Sequence, residues 1–198
     1  AVPGGGCGAT AWHGGLRFVD LLDFNGEAMY FDRPLGPEVD ALITLAATRY
    51  GEPEAEHSLL RAYFLEPEHL TVLVALYRYF YYRHGYAEAL LVADRAIRLT
   101  ADRLGIAPDW RKLTNDDLGK AVQESMTLTR FLLLALKGSG YLELRLGDAA
   151  SALERFEKVL EIDTSDRLGM SELVSLARAK VTEDSVQAAG DKVAYFTR

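Results

Sequence analysis

Residues 39–62 read VDALITLAATRYGEPEAEHSLLRA, and residues 73–96, thirty-four positions later, read LVALYRYFYYRHGYAEALLVADRA. Val39, Leu42, Ala46, Gly51, Ala55, Leu59 and Ala62 are answered in phase by Leu73, Leu76, Phe80, Gly85, Ala89, Ala93 and Ala96. Apolar and small residues recur at helical spacing on both sides of each glycine, so each copy predicts two helices joined by a tight turn. A period of this length marks a stack of helix pairs, in which each unit buries its apolar face only against its neighbours. In the first copy Pro37 opens a helix, Gly51 and Pro53 break the chain, and Glu66-Pro67-Glu68 ends the second helix. Proline disfavours helical geometry at the residue before it, which fixes that stop. In the second copy the second helix is expected to run to Leu104, where Gly105 supplies a left-handed cap and Pro108 prevents continuation.

A third copy is displaced. Leu73, Tyr77, Ala89, Ala93, Ala96 and Leu99 return as Leu136, Gly140, Ala152, Phe156, Val159 and Ile162, each 63 residues on, which leaves an insert of 29 residues beyond one period. The insert carries Trp110 and then Thr114-Asn115-Asp116-Asp117, a helix start with a hydroxyl or amide cap and acidic residues in the first turn. From Leu118 to Leu133 the apolar spacing continues into the third copy. It predicts one long helix over about 116–146, with Gly138 and Gly140 as the places where it would kink. After Asp163-Thr164-Ser165-Asp166, an amphipathic helix with Leu168, Leu173, Val174, Leu176 and Ala177 suits the cover that a repeat stack needs at its last pair. The division that follows is a lead over 1–33, a repeat domain over 34–182 and a polar, loosely held tail over 183–198. Within the domain the repeats fall at 34–67, 68–101 and 133–166, with the insert at 102–132 and the capping helix at 167–182.

These residues resemble the tetratricopeptide repeat family over about residues 34–166. The third copy, LKGSGYLELRLGDAASALERFEKVLEID, places Gly140, Gly147-Asp148, Ala152 and Phe156 where that family has its characteristic residues, and the first supplies Ala55, Leu59, Ala62 and Pro67. Tyr77 stands where a small residue is usual and Glu143 where an aromatic is usual. The resemblance implies an all-α fold, a short α-solenoid of antiparallel helix pairs whose first helices line a concave surface. Carried over, the surface positions are Asp40, Thr44, Ala47 and Thr48; Val74, Arg78, Tyr81 and Tyr82; and Lys137, Tyr141, Leu144 and Arg145. Arg78, Lys137 and Arg145 suit carboxylates of a partner, and Tyr81, Tyr82 and Tyr141 offer flat apolar area with a polar tip. The same residues also read as solvated charges and internal packing. Among the crowded aromatics, Tyr77 and Phe80 are the ones expected in the core.

Composition narrows the function classes. At 198 residues, 49% hydrophobic and 26% charged, the chain can bury a core without metal or disulfide. A net charge of −7 lacks the basic field that binding to phosphate backbones needs, so nucleic acid is not an expected partner. The most apolar window, 131–136, is bounded by Arg130 and Lys137, and no membrane span is expected. A single cysteine, Cys7, excludes an intramolecular disulfide framework and makes the cytoplasm the expected compartment.

Catalytic patterns are lacking. GGGCG has no Lys-Ser/Thr after it, and Cys7 with His13 falls short of the four ligands of a closed zinc site. His57, His69 and His84 are scattered along the repeats and read as surface residues. No catalytic residue, cofactor or metal is therefore expected. Outside the repeat, residues 16–31 are apolar-rich around Asn25-Gly26 and fit either a hairpin or a short helix. The reading of function is a non-catalytic scaffold for a protein or peptide. Its alternative is a self-association module in which residues 16–31 fill the groove or a partner's surface.

Overall fold

The computed structural model describes residues 33–196, with side chains to residue 189. The described residues form eight α-helices and one short 3-10 turn, with no strand among them. The hairpin or helix read at 16–31, and Cys7 and His13, lie outside the described residues.

Helices α1 (Pro37–Thr48) and α2 (Pro53–Leu65) both start on proline, whose missing N–H would have no partner in a first turn. Gly51 turns the chain between them at φ 98°. Helices α3 (Leu70–Tyr82) and α4 (Tyr86–Arg103) follow, and Gly105 at φ 64° lies just beyond the α4 cap, as the sequence anticipates. The left-handed residue between α3 and α4 is His84 at φ 60° rather than Gly85. Gly85 N–H instead reaches back to the Phe80 carbonyl at 2.8 Å, closing the helix end.

The insert forms the 3-10 turn Trp110–Lys112 and then α5 (Asn115–Glu124). Thr114 and Asp117 close a capping box: the Thr114 hydroxyl accepts from Asp117 N–H at 3.2 Å, and the Asp117 carboxylate accepts from Thr114 N–H at 3.1 Å. The single long helix expected over 116–146 is in fact two. The break falls at Ser125, whose extended backbone (φ −158°, ψ 108°) ends α5 while its hydroxyl accepts from Leu128 N–H and caps α6 (Met126–Leu146). Gly138 and Gly140 lie inside α6 with no interruption. Gly147 at φ 86° ends α6, and Asp148 caps α7 (Ala149–Ile162) through Ser151 N–H at 3.0 Å.

The last helix, α8 (Met170–Phe196), continues through the stretch read as a loose polar tail. Lys180 pairs with Glu183 at 3.0 Å and Asp184 at 3.1 Å across one turn, a small local support for the helix there.

Packing follows the chain: α1 on α2, α2 on α3, α3 on α4, α4 on α6, α6 on α7 and α7 on α8, with α5 against α6. Alanines make the close approaches; Ala55, Ala62, Ala89 and Ala152 are fully buried. Tyr77 lies in the core and Phe80 is partly buried against it. At Gly140 the approach is closest, because a Cβ there would stand 2.5 Å from Cε1 of the buried Phe156 ring. No helix among the described residues is long and apolar enough to cross a membrane.

Candidate docking face

Helix α3 places its residues on two sides. Leu70, Leu73 and Tyr77 go to the core, while Arg78 and Tyr82, with the buried Val74 one turn before them at its floor, face a trough shared with α1. Ile43, Ala46 and Ala47 of α1, with Tyr50 in the turn after it, form the opposite wall of this trough, which holds about 380 Å³. Its lining is apolar apart from Thr71, the Arg78 guanidinium and the tyrosine hydroxyls.

Tyr82, 49% exposed, joins the trough to a cluster of tyrosines. Tyr81 sits at its centre, stacked on Tyr77 at 5.8 Å and edge-on to Tyr82 at 5.4 Å and Tyr86 at 6.1 Å, with Tyr141 of α6 at 6.5 Å. Arg145 lies across the rim, its guanidinium carbon 4.8 Å from the Tyr86 ring centroid. It donates to the Tyr86 hydroxyl at 2.8 Å and to the Tyr141 hydroxyl at 3.5 Å. His84 Nδ1 lies 2.8 Å from the same Tyr86 oxygen. With Arg145 as donor, the Tyr86 hydrogen is left for the imidazole.

Burial, followed by the neighbouring Tyr141 and Tyr86, pushes the Tyr81 phenol up to about 12, with Arg145 pulling the other way. The Arg145 guanidinium is itself raised, first by its hydrogen bond to Tyr141. Tyr81 therefore keeps its proton in the fold at pH values where it would ionise in the unfolded chain. Its contribution to stability is present below about pH 10 and is lost as pH rises towards about 12. In an ultraviolet difference titration, Tyr81→Phe should remove absorbance from the latest-ionising phase; loss from an early phase would contradict this placement.

Of the six residues singled out in the sequence, five come together: Arg78 and Tyr82 in the trough, and Tyr81, Tyr141 and Arg145 in the adjoining cluster. Lys137 does not join them. It is buried at 7% exposure and its ammonium donates to the Leu168 carbonyl, tying α6 to the α7–α8 connection. Burial lowers its pKa, and Asp166, Asp163 and Glu172 act in the opposite direction. Lys137 is thus a structural cation, a correction to its reading as a surface residue. Tyr86 and Tyr50 belong to the face as well. Their signal was the density of aromatics around α3, whose directions spacing alone could not sort.

A protein of Azotobacter chroococcum mcd 1, described as an uncharacterized 19.8 kDa protein in the nifW 5′ region, is 45% identical to this chain over 151 residues, 76% of this chain and 84% of that protein. The chain belongs to the same family. No family model matches it.

Two further buried polar sites hold elements of the fold together. His69, read as a surface residue, is 1% exposed. Its Nε2 lies 2.7 Å from the Arg33 carbonyl and its Nδ1 accepts from Thr71 N–H at 3.3 Å, so one ring caps α3 and holds the incoming chain. Arg155, 5% exposed, donates to Glu143 at 2.9 Å and Asp94 at 2.8 Å, with the Trp110 ring centroid 5.0 Å from its guanidinium carbon. Burial raises the Glu143 pKa against the opposing pull of Arg155, and its second oxygen is buried with no hydrogen-bond partner. This triad joins α4, α6, α7 and the insert.

Proposed function

We propose that the chain is a non-catalytic scaffold, a short α-solenoid of the tetratricopeptide type, that docks a peptide or partner protein on the face of α1, α3 and the end of α6. The observation that carries this reading is the apolar trough of about 380 Å³ running into exposed Tyr82, with Arg78 in its lining and Arg145 in the adjoining tyrosine cluster. Apolar walls supply the area, half-exposed tyrosines supply rigid anchors, and arginines select carboxylates. A cytoplasmic location accords with the single cysteine.

Affinity capture from the native host tests it. The variant Arg78→Glu with Arg145→Glu should lose specific partners at least about tenfold, the effect of about 1.4 kcal/mol of binding energy. Identical partner sets for the variant and the wild type would count against the face. Both side chains are exposed, so circular dichroism should be unchanged.

Self-association is the second reading, and it rests on α2, where Phe64 is 80% exposed beside exposed Leu60 and Leu65. If copies join there, Phe64→Glu should lower the mass found in sedimentation while leaving partner capture intact.

A further inference from the structure

We propose that in the full chain the α1–α3 trough is occupied by the chain's own residues 16–31, a self-contact that a docking partner must displace. This rests on the trough being the docking face.

The lining defines the occupant. Apolar walls with Arg78 at one side and Arg145 beyond Tyr82 call for a short segment in which apolar and acidic residues alternate closely. Residues 16–31 read LRFVDLLDFNGEAMYF, with ten apolar residues, three acids and one arginine. Phe18, Val19, Leu21, Leu22 and Phe24 bracket Asp20 and Asp23, the pattern that the trough would bind.

The place where this segment meets the fold is fixed. The Arg33 carbonyl is held by His69, and Glu66 accepts from Gly36 N–H at 3.1 Å and pairs with Arg33 at 4.0 Å. His69 is two residues before Thr71, which lines the trough, so the chain enters at the end of the trough nearest the start of α3. From Thr71 to Tyr82, α3 rises about 17 Å at about 1.5 Å per residue. Five or six extended residues at about 3.3 Å each cover that distance, and residues 16–31 exceed it with slack. Tethering so close holds the segment at an effective concentration on the order of millimolar, enough for a weak contact to persist.

The test uses the full chain with the photo-cross-linker benzoylphenylalanine replacing Tyr82, mixed as unlabelled and ¹⁵N-labelled protein and illuminated. Adducts between position 82 and peptides from residues 16–31 of the same isotope are expected. Leu21→Asp with Leu22→Asp should reduce their yield at least about tenfold, the equivalent of about 1.4 kcal/mol. Mixed-isotope adducts would place a second copy in the trough and overturn the self-contact, as would no adduct to residues 16–31. Equal adducts from a cross-linker at exposed His57, on the side of α1 and α2 lined by Leu42 and Leu45, would overturn it too by placing the segment there. Partner capture is read separately. A partner caught without the self-adduct refutes the self-contact alone, whereas the self-adduct without any partner refutes the scaffold reading alone.

Discussion

Arg155→Met should destabilise the fold by about 3–5 kcal/mol at pH 7, the usual cost of removing one member of a buried ion pair. Arg155 is the cation that Glu143 and Asp94 share, and its loss leaves two carboxylates facing each other, one of them with an oxygen already lacking a partner. The effect should depend on pH. Burial already raises Glu143, and without Arg155 it rises further above its unfolded value near 4.5. The folded variant then binds a proton that the unfolded chain releases, so stability is greatest below the ordinary carboxylate range and falls as pH rises through the raised value. Urea unfolding at pH 5 and pH 7 reads this directly, with the smaller loss expected at pH 5. Adding Glu143→Leu to Arg155→Met should recover part of the loss, because an apolar pair removes the stranded charge. A single variant within about 1 kcal/mol of wild type would mean that the triad is solvated and does not join the third copy to the insert.

Phe156→Ala should cost about 3–5 kcal/mol, since the ring is fully buried between α6 and α7. Gly140→Ala probes the same contact from the other side. Its new methyl would lie 2.5 Å from Phe156 Cε1 and 2.9 Å from Cδ1, so the fully buried ring or one of the two helices must shift. Overpacking of this kind costs about 1–3 kcal/mol. Combined with Phe156→Ala, the alanine at 140 should change sign and stabilise by up to about 1 kcal/mol, because the clash is gone and alanine favours the helix over glycine. Equal effects of Gly140→Ala in both backgrounds would mean that Gly140 and Phe156 do not touch.

Much of the helix arrangement was legible because it rests on local rules. Prolines at 37 and 53, the turn at Gly51 and the cap at Gly105 each act within a few residues, and the structure places the helix ends where they predict. Ser125 was missed because apolar periodicity runs across it, while a serine that ends one helix and caps the next leaves the spacing almost intact. The buried positions of His69 and Lys137 depend on carbonyls 36 and 31 residues away, which no periodicity encodes. The triad did leave a trace. By the 63-residue offset Glu143 and Arg155 correspond to Phe80 and Val92, both apolar and packed against one core cluster, so the third copy replaces an apolar pair with an ion pair. Glu143, read as a departure from the repeat pattern, is half of that exchange. On the candidate face, five of the six residues carried over from the tetratricopeptide resemblance lie together; which aromatics turn inward was decided by packing between α3, α4 and α6.

The docking face is tested most directly by photo-cross-linking in a lysate of the native host, with benzoylphenylalanine at position 82 in the trough or at position 91, where Leu91 is exposed on α4. A discrete set of host-protein adducts is expected from position 82 and none of these from position 91. The same adducts from both positions, or adducts from position 91 alone, would contradict it.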